Sequence, residues 1–483
     1  MSTTLPDQLQ KHIDVRSPFD GRVIGQVPRA TAADAIAAID VAVAAHASGA
    51  LPQHERAEIL ERAALLVAER LEAFAQSICD EAGKPIATAR VEVQRAVDTL
   101  RWSGLEARRL AGEVVPIAGA ATGAGYHAYT VKRPVGVVVA ISPFNFPLNL
   151  CCHKLGPAIA AGCPVVHKPA SQTPLTALKL RDVLYEAGLP QQWLTVVCGP
   201  GGEVGDALVS DVRIAVVSFT GSSAVGWKLH EKAAPHVRIG LELGNSTPML
   251  VFADADIDAA ASAIVKGGFG YAGQSCVSVQ RVLAHDDIHD DLLAAVTASV
   301  EQLVAGDPGA ADTVVGPVID GGARDRIVET IAAAVREGAT ITTGGKVAAG
   351  NTITTAGKVA AGNVVQPTVL AGVTREMQAF AHEIFGPVVT FTKFATDDEA
   401  VELANATAYG LQAGVFSRSI ERAFQLPGRL MFGGVIVNDM PTYRADVMPY
   451  GGVKDSGNTR EGPRWAIENM LESQLVVVAN AAH

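Results

Sequence analysis

Residues 136–147 read Gly136-Val137-Val138-Val139-Ala140-Ile141-Ser142-Pro143-Phe144-Asn145-Phe146-Pro147. A short, unbroken, β-branched run such as 136–141 is the pattern of a strand buried on both faces. It stops at two prolines that bracket an asparagine. Runs of the same kind follow at 163–167, 193–198 and 214–219, and helical patterns separate them, notably at 175–187 and 204–210. Strand–helix alternation predicts an α/β chain with a parallel sheet and right-handed crossovers. Ligands of such sheets sit beyond the carboxyl ends of the strands, so the residues just after each strand are the candidates for chemistry.

Before this segment, residues 31–47, 55–82 and 91–111 carry apolar residues at helical spacing, and 126–134 alternates like a strand. After Gly244 a second α/β section is expected, with helices at 257–267, 291–304, 325–337 and 398–406. Strands are expected between them at 281–284, 388–394 and 434–437. The tail 473–478 reads as one more strand, pairing outside its own domain. Residues 341–352 (ITTGGKVAAGNT) and 353–364 (ITTAGKVAAGNV) form a near-perfect tandem copy. Two copies do not make a solenoid, so a duplicated surface loop or hairpin is expected; loop-closure entropy grows slowly enough to tolerate it.

The bulk properties exclude several classes. At 483 residues the chain can hold two to four domains. A net charge of −11 and the lack of a Lys/Arg run argue against nucleic acid. The first fourteen residues are polar, without a signal-peptide core. No apolar run reaches the ~20 residues that span a bilayer, so a soluble cytoplasmic protein is expected. Six cysteines, none in a CxxC pair, predict free thiols with neither a disulfide framework nor a metal site.

Each strand end offers one chemical group. Asn145 follows the first and can donate to a developing oxyanion, or be a turn residue. Lys168 follows the second and can hold a ribose or phosphate, or be a surface lysine. Gly221 and Ser222 follow the fourth and open a helix, whose N-terminus suits a pyrophosphate; the spacing to Gly226 is GxxxxG, a weak dinucleotide signal. Glu242 lies between two leucines. Burial there would raise its pKa and suit it to base catalysis, whereas a solvent-facing glutamate would do nothing. Cys276 lies in Gly273-Gln274-Ser275-Cys276-Val277, where a thiolate could act as nucleophile or a thiol could simply be packed.

Taken in order, Asn145, Lys168, Gly221, Glu242, Cys276, Glu383-Ile384-Phe385-Gly386-Pro387 and Pro449-Tyr450-Gly451-Gly452 resemble the motif series of the aldehyde dehydrogenase superfamily over almost the whole chain. The resemblance implies a Rossmann-like cofactor domain (1–117 and 135–241), a catalytic domain (242–434) and a small oligomerisation arm (118–134 and 464–483). Its tail strand would pair with a neighbouring subunit in a homodimer or homotetramer. It implies that Cys276 attacks an aldehyde, that Asn145 and the Cys276 N–H hold the oxyanion, and that hydride passes to NAD or NADP. Glu242 would then activate the water that hydrolyses the thioester, with Lys154 in the proton path. Lys168, Ser171, Ser142, Phe144, Gly221, Ser222, Leu243, Glu383 and Phe385 would contact the cofactor. Where NAD-preferring relatives often have Glu three residues after the lysine, this chain has Ser171, so NADP should be accepted. Asn245 replaces a usual glycine near the active-site floor.

The resemblance also places Arg95, His153, Thr442, Tyr443 and Arg444 around the substrate tunnel. Three potential cations there would attract a short aldehyde with a sulfonate, phosphonate, phosphate or carboxylate head, sulfolactaldehyde leading. Two rivals remain at this point. A CoA-acylating relative would usually lack the base, which Glu242 argues against. A cofactor-independent cysteine hydrolase would need a histidine beside Cys276, for which His153 is the candidate.

Overall fold

In the computed structural model, residues 12–348, 352–355 and 358–480 are described. The first eleven residues of the expected cofactor domain, the last three of the tail, and 349–351 and 356–357 of the tandem copy lie outside them.

Val137–Ile141 is buried along its whole length and is the centre of a five-stranded parallel sheet. The strand order is Leu194–Val196, Val165–Lys168, Val137–Ile141, Ile214–Thr220, Arg238–Glu242. All four pairings are parallel. The order reverses between the strands 137–141 and 214–220, so their carboxyl ends diverge and leave a crevice there. Both sheet faces are covered. One packs on the helices Gln53–Glu69, Ile86–Arg109 and Asn149–Ala161, and the other on Ala32–Ala47 and the segment around Leu208.

The helices start and stop where local chemistry tells them to. Thr31 and Asp34 form a capping box for Ala32–Ala47, each side chain accepting the other's backbone N–H. The long run expected at 55–82 is two helices, Gln53–Glu69 and Leu71–Ala82, broken at Arg70 (φ −103°, ψ 24°). The apolar period continues through the break because both helices bury the same side. Residues 204–210 form only one helical turn, Asp206–Val209, after a wide turn at Gly201–Gly205; two adjacent glycines offer no packing to extend it.

The second sheet has seven strands around a separate apolar core. Its order is Thr340–Thr343, Thr368–Ala371, Val388–Phe394, Val279–His285, Thr247–Val251, Gln412–Phe416, Gly434–Val437. Only the edge strand Thr340–Thr343 is antiparallel to its neighbour. Thr247–Val251 escapes a pattern reading because Pro248 interrupts it. The register shifts at that proline, which removes one ladder donor.

The tail corrects one expectation. Leu471–Ala479 pairs antiparallel with Tyr126–Pro134 of its own chain, which in turn pairs with Val114–Val115. The tail's pairing partner is therefore internal. Its outer edge has no strand partner among the described residues.

The two tandem copies adopt different structures. Ile341–Thr343 of the first copy lies in the edge strand of the large sheet. In the second copy the same three residue types lie in the hairpin Thr352–Thr355/Lys358–Ala361, which pairs only with itself.

Candidate active site

Two cavities meet at Cys276. A cleft of about 540 Å³ lies at the carboxyl ends of the five-stranded sheet, lined by Phe144, Asn145, Gly221, Ser222, Leu243, Glu383 and Phe385. A smaller chamber of about 250 Å³ is lined by Glu242, Thr442, Arg95, Arg444, Tyr450 and several apolar side chains, among them Val91, Phe146 and Val277. Cys276 lines both.

The loop that delivers Cys276 is strained. Tyr271 and Ala272 both have positive φ (52° and 53°), which costs most residues about 1 kcal/mol or more each. Gly273 also has φ +67°, and a Cβ there would sit 2.1 Å from the Gly386 carbonyl oxygen. The loop holds this shape through buried polar ties. Tyr271 Oη donates to the Ala82 carbonyl (3.0 Å). Gln274 Oε1 accepts from Ile319 N (2.9 Å), and the Gln274 carbonyl accepts from Asn145 Nδ2 (2.9 Å). Asn145 is thereby fixed beside Cys276 with an amide hydrogen to spare.

Cys276 is half-buried, and that burial pushes its thiol up to about 12. Its one hydrogen-bond partner among the described residues is Tyr450 Oη, 2.8 Å away. No histidine bonds it. His153 instead lies against Thr99, Asp446 and Arg444, so the Cys–His pair of a hydrolase is absent among the described residues.

Glu242 ends the strand Arg238–Glu242 and is buried, with neither carboxylate oxygen hydrogen-bonded. Burial, with Glu461 nearby, holds its carboxyl well above the usual range, so it keeps its proton at neutral pH. A Cβ on Gly451 would lie 2.7 Å from Glu242 Oε1, so glycine is what lets the two segments pass.

Behind Glu242 lies a buried charge network. Lys154 Nζ donates to Thr220 Oγ1 (2.7 Å), Ser218 Oγ (3.2 Å) and Glu461 Oε1 (3.1 Å). Arg444 Nη2 donates to Glu461 Oε2 (3.2 Å). Burial opposes ionisation of Glu461, but Lys154 and Arg444 outweigh it and hold the carboxyl at about 2. Arg95 forks onto Asp446 with bonds of 2.9 and 2.8 Å. Asp446 also accepts from Asn149 Nδ2 (3.0 Å). Neither Glu461 nor Asp446 stands out in the sequence; a charge two residues from Arg444 and one before Gly462 were the only signals.

Two expectations need correction here. His153 is 1% exposed and does not line the chamber. Burial, reinforced by Arg444, lowers its pKa and leaves it neutral, so it is not a third cation. Tyr443 is 49% exposed and lies outside the chamber. Thr442 does line it.

On the cofactor side, Phe144 and Phe385 meet edge to face at 5.9 Å. Glu383 Oε1 accepts from Asn245 N (3.0 Å), and burial raises its carboxyl to about 7. The helix Ser223–Lys232 begins at Ser222 with no side-chain cap, leaving backbone N–H groups facing the cleft mouth. Those features fit a dinucleotide: orphan donors for the pyrophosphate, a carboxylate for a ribose and an aromatic pair at the inner end. Lys168 and Ser171 flank the cleft residue Ala170. Lys168 is buried, its Nζ on the Pro169 carbonyl, and the Ser171 hydroxyl donates to the Gly199 carbonyl (3.1 Å). Ser142 is not on the cleft surface; it is buried with its hydroxyl 2.9 Å from His167 Nε2. Asn245 spends its amide on Thr247, Gln412 and Leu411, stapling this strand end to the second sheet.

A nucleotide-sized cleft at the switch point of a parallel sheet, opening through one thiol onto a chamber with a buried carboxyl, defines a cofactor-dependent thiol enzyme. The aldehyde dehydrogenase family model matches residues 5–476. The chain is 42% identical over 425 residues to a 3-sulfolactaldehyde dehydrogenase of Priestia aryabhattai, covering 88% of this chain and 86% of that one. It superposes on glyceraldehyde-3-phosphate dehydrogenase GapN of Methanocaldococcus jannaschii complexed with NADP (TM-score 0.91, 34% identity, 98% and 100% of the two chains). It superposes equally on aldehyde dehydrogenase 21 of Physcomitrella patens in complex with the reaction product succinate (TM-score 0.91, 38% identity, 98% and 96%). The chain therefore belongs to the aldehyde dehydrogenase family, and its activity is NAD(P)-dependent oxidation of an aldehyde. No described helix is long and apolar enough to cross a membrane.

Proposed function

We propose that this protein oxidises a short anionic aldehyde, with a sulfonate, phosphonate, phosphate or carboxylate head, to the corresponding acid through a thioester on Cys276. The observation that carries this reading is the seat of Cys276 at the junction of the cleft and a small chamber whose wall holds Arg95 and Arg444. Each arginine leaves Nη1 without a partner among the described residues, while its other nitrogens face a carboxylate. Arg95, Arg444, Lys154 and the exposed Lys266 stand around the chamber against Asp446 and Glu461, and His153 and Glu242 are neutral. The surplus is positive, which an anionic head group offsets. The chamber's volume fits a short chain only. The sulfolactaldehyde dehydrogenase relative and the succinate-bound neighbour point to the same substrate class.

In this reading Cys276 attacks the carbonyl carbon, and the free Asn145 amide hydrogen and the Cys276 N–H receive the oxyanion. When bound, the nicotinamide supplies the hydride acceptor that makes a thioester of the adduct. Phe144 and Phe385 wall its ring, Glu383 and Lys168 take the riboses, and the uncapped helix start at Ser222 takes the pyrophosphate. Ser171 places no carboxylate against a 2′-phosphate, so both NADP and NAD are used. Glu242 accepts the proton of the hydrolytic water and passes it toward Glu461 and Lys154. The retained base Glu242 separates this route from transfer to CoA. The subunits associate through the arm formed by 118–134 and the tail.

The test is kcat/KM for a matched anionic and neutral pair, such as succinic semialdehyde and butanal, in wild type and Arg444→Leu. Loss of a partly buried cation should cut the anionic substrate's value by about 30-fold or more. The neutral substrate should fall far less. Equal losses on both would remove the anion pocket and leave the enzyme class intact.

A further inference from the structure

Tyr450 is held in place from three directions. Its backbone pairs with Glu461, donating to and accepting from it at 3.1 and 2.6 Å. Its ring lies 3.8 Å beneath the Arg444 guanidinium. Gly451 and Gly452 follow it, and a Cβ on either would collide with the backbone at Thr459 or with Ser456. The phenol therefore has little freedom, and its oxygen rests 2.8 Å from Cys276 Sγ.

We propose that Tyr450 is a catalytic residue whose phenol donates the hydrogen bond that stabilises the Cys276 thiolate. The inference rests on Cys276 being the nucleophile. The S–H bond breaks, its proton leaves to solvent water, the electron pair stays on sulfur, and the phenol keeps its own proton throughout. When sulfur bonds to the carbonyl carbon it loses its charge, and the hydroxyl is released. The other candidates for this task are engaged or absent: Glu242 is protonated, and no histidine or lysine bonds Cys276 among the described residues. Burial holds the phenol well above its ordinary value, so at working pH it is a donor and not a base. The stacked guanidinium supplies a positive field to ring and thiolate alike. A phenylalanine would fill the same space, so the hydroxyl is the whole of the difference.

The test is the pH profile of Cys276 alkylation by iodoacetamide without aldehyde, in wild type and Tyr450→Phe, with Cys276→Ala as background. Loss of a hydrogen bond to a charged group should move the thiol's apparent pKa up by about one unit, making alkylation roughly tenfold slower below it. Coincident profiles would overturn the proposal, since a packing role alone does not move a titration. If Tyr450→Phe does not fold, uniform 3-fluorotyrosine labelling of the wild-type chain replaces it. The more acidic phenol must then move the apparent pKa down, and an unmoved value overturns the proposal. Full dehydrogenase activity in Cys276→Ala would instead defeat the reading of Cys276 itself.

Discussion

At the residue scale, Glu242 carries two opposed demands: it must be buried to act on water in a dry chamber, and burial without partners is costly for its ionised form. The cost has a sign that can be measured. An unfolded glutamate titrates near ~4.3, whereas the folded Glu242 keeps its proton to a far higher pH. Above that unfolded value the native state holds more protons, so this group's contribution to stability is full in acid and declines as pH rises. Glu242→Gln, a neutral isostere, escapes the decline. Its Tm relative to wild type should therefore rise between pH 5 and pH 9 in a buffered thermal scan; a difference independent of pH would mean Glu242 ionises in the fold as easily as outside it. Glu461 runs the other way. Held at about 2, it stabilises the fold above the ordinary carboxylate range and loses that contribution only in strong acid.

Asn145, Glu242 and Cys276 were legible because each follows a recognisable apolar run, and strand ends are where parallel sheets place chemistry. Asp446, Glu461 and the contact of Tyr450 with Cys276 were not. Their partners lie far away in the chain: 351 residues separate Arg95 from Asp446, and 174 separate Cys276 from Tyr450. Local pattern carries no record of such meetings. The misplacement of His153 has the same origin. Its position on a helix near the site was sound, but the neighbours that bury and neutralise it come from the segment around 444–446.

At the element scale, the strands and helices followed their periodicity except where one residue overrode it, at Arg70 and Pro248. The tandem copy allows a sharper test. Deleting residues 345–356 leaves a single intact copy, ITTGGKVAAGNV, and removes a hairpin that pairs only with itself. That variant should keep its kinetic constants, with Tm changed by no more than about 2 °C, because a surface hairpin contributes little. Deleting 341–352 is formally the same loss but puts Ala356 where Gly344 stands. There φ is +83° and a Cβ would lie 2.1 Å from the Pro367 carbonyl oxygen. Its Tm should fall clearly below that of the first deletion; equal values would show that the Gly344 turn is not the constraint.

At the scale of the whole molecule, the three-stranded arm leaves the outer edge of Leu471–Ala479 unpaired, with Leu475, Val477 and Val478 about half exposed. Open apolar edges are sites of association. Val477→Pro, which removes one edge donor, should lower the mass found by light scattering after gel filtration. An unchanged mass would move the proposed subunit contact away from this edge. The two large sheets, their separate cores and the arm together exist to bring a cleft and a chamber to one thiol.

The most direct test is mass spectrometry of Glu242→Gln mixed with NADP and an anionic aldehyde and quenched within one turnover. Loss of the base should leave the acyl group in place. A single adduct on the Cys276 peptide, heavier than the free thiol by the aldehyde minus two hydrogens, is the predicted result. An unmodified Cys276 after one equivalent of NADPH has formed would contradict the thioester route.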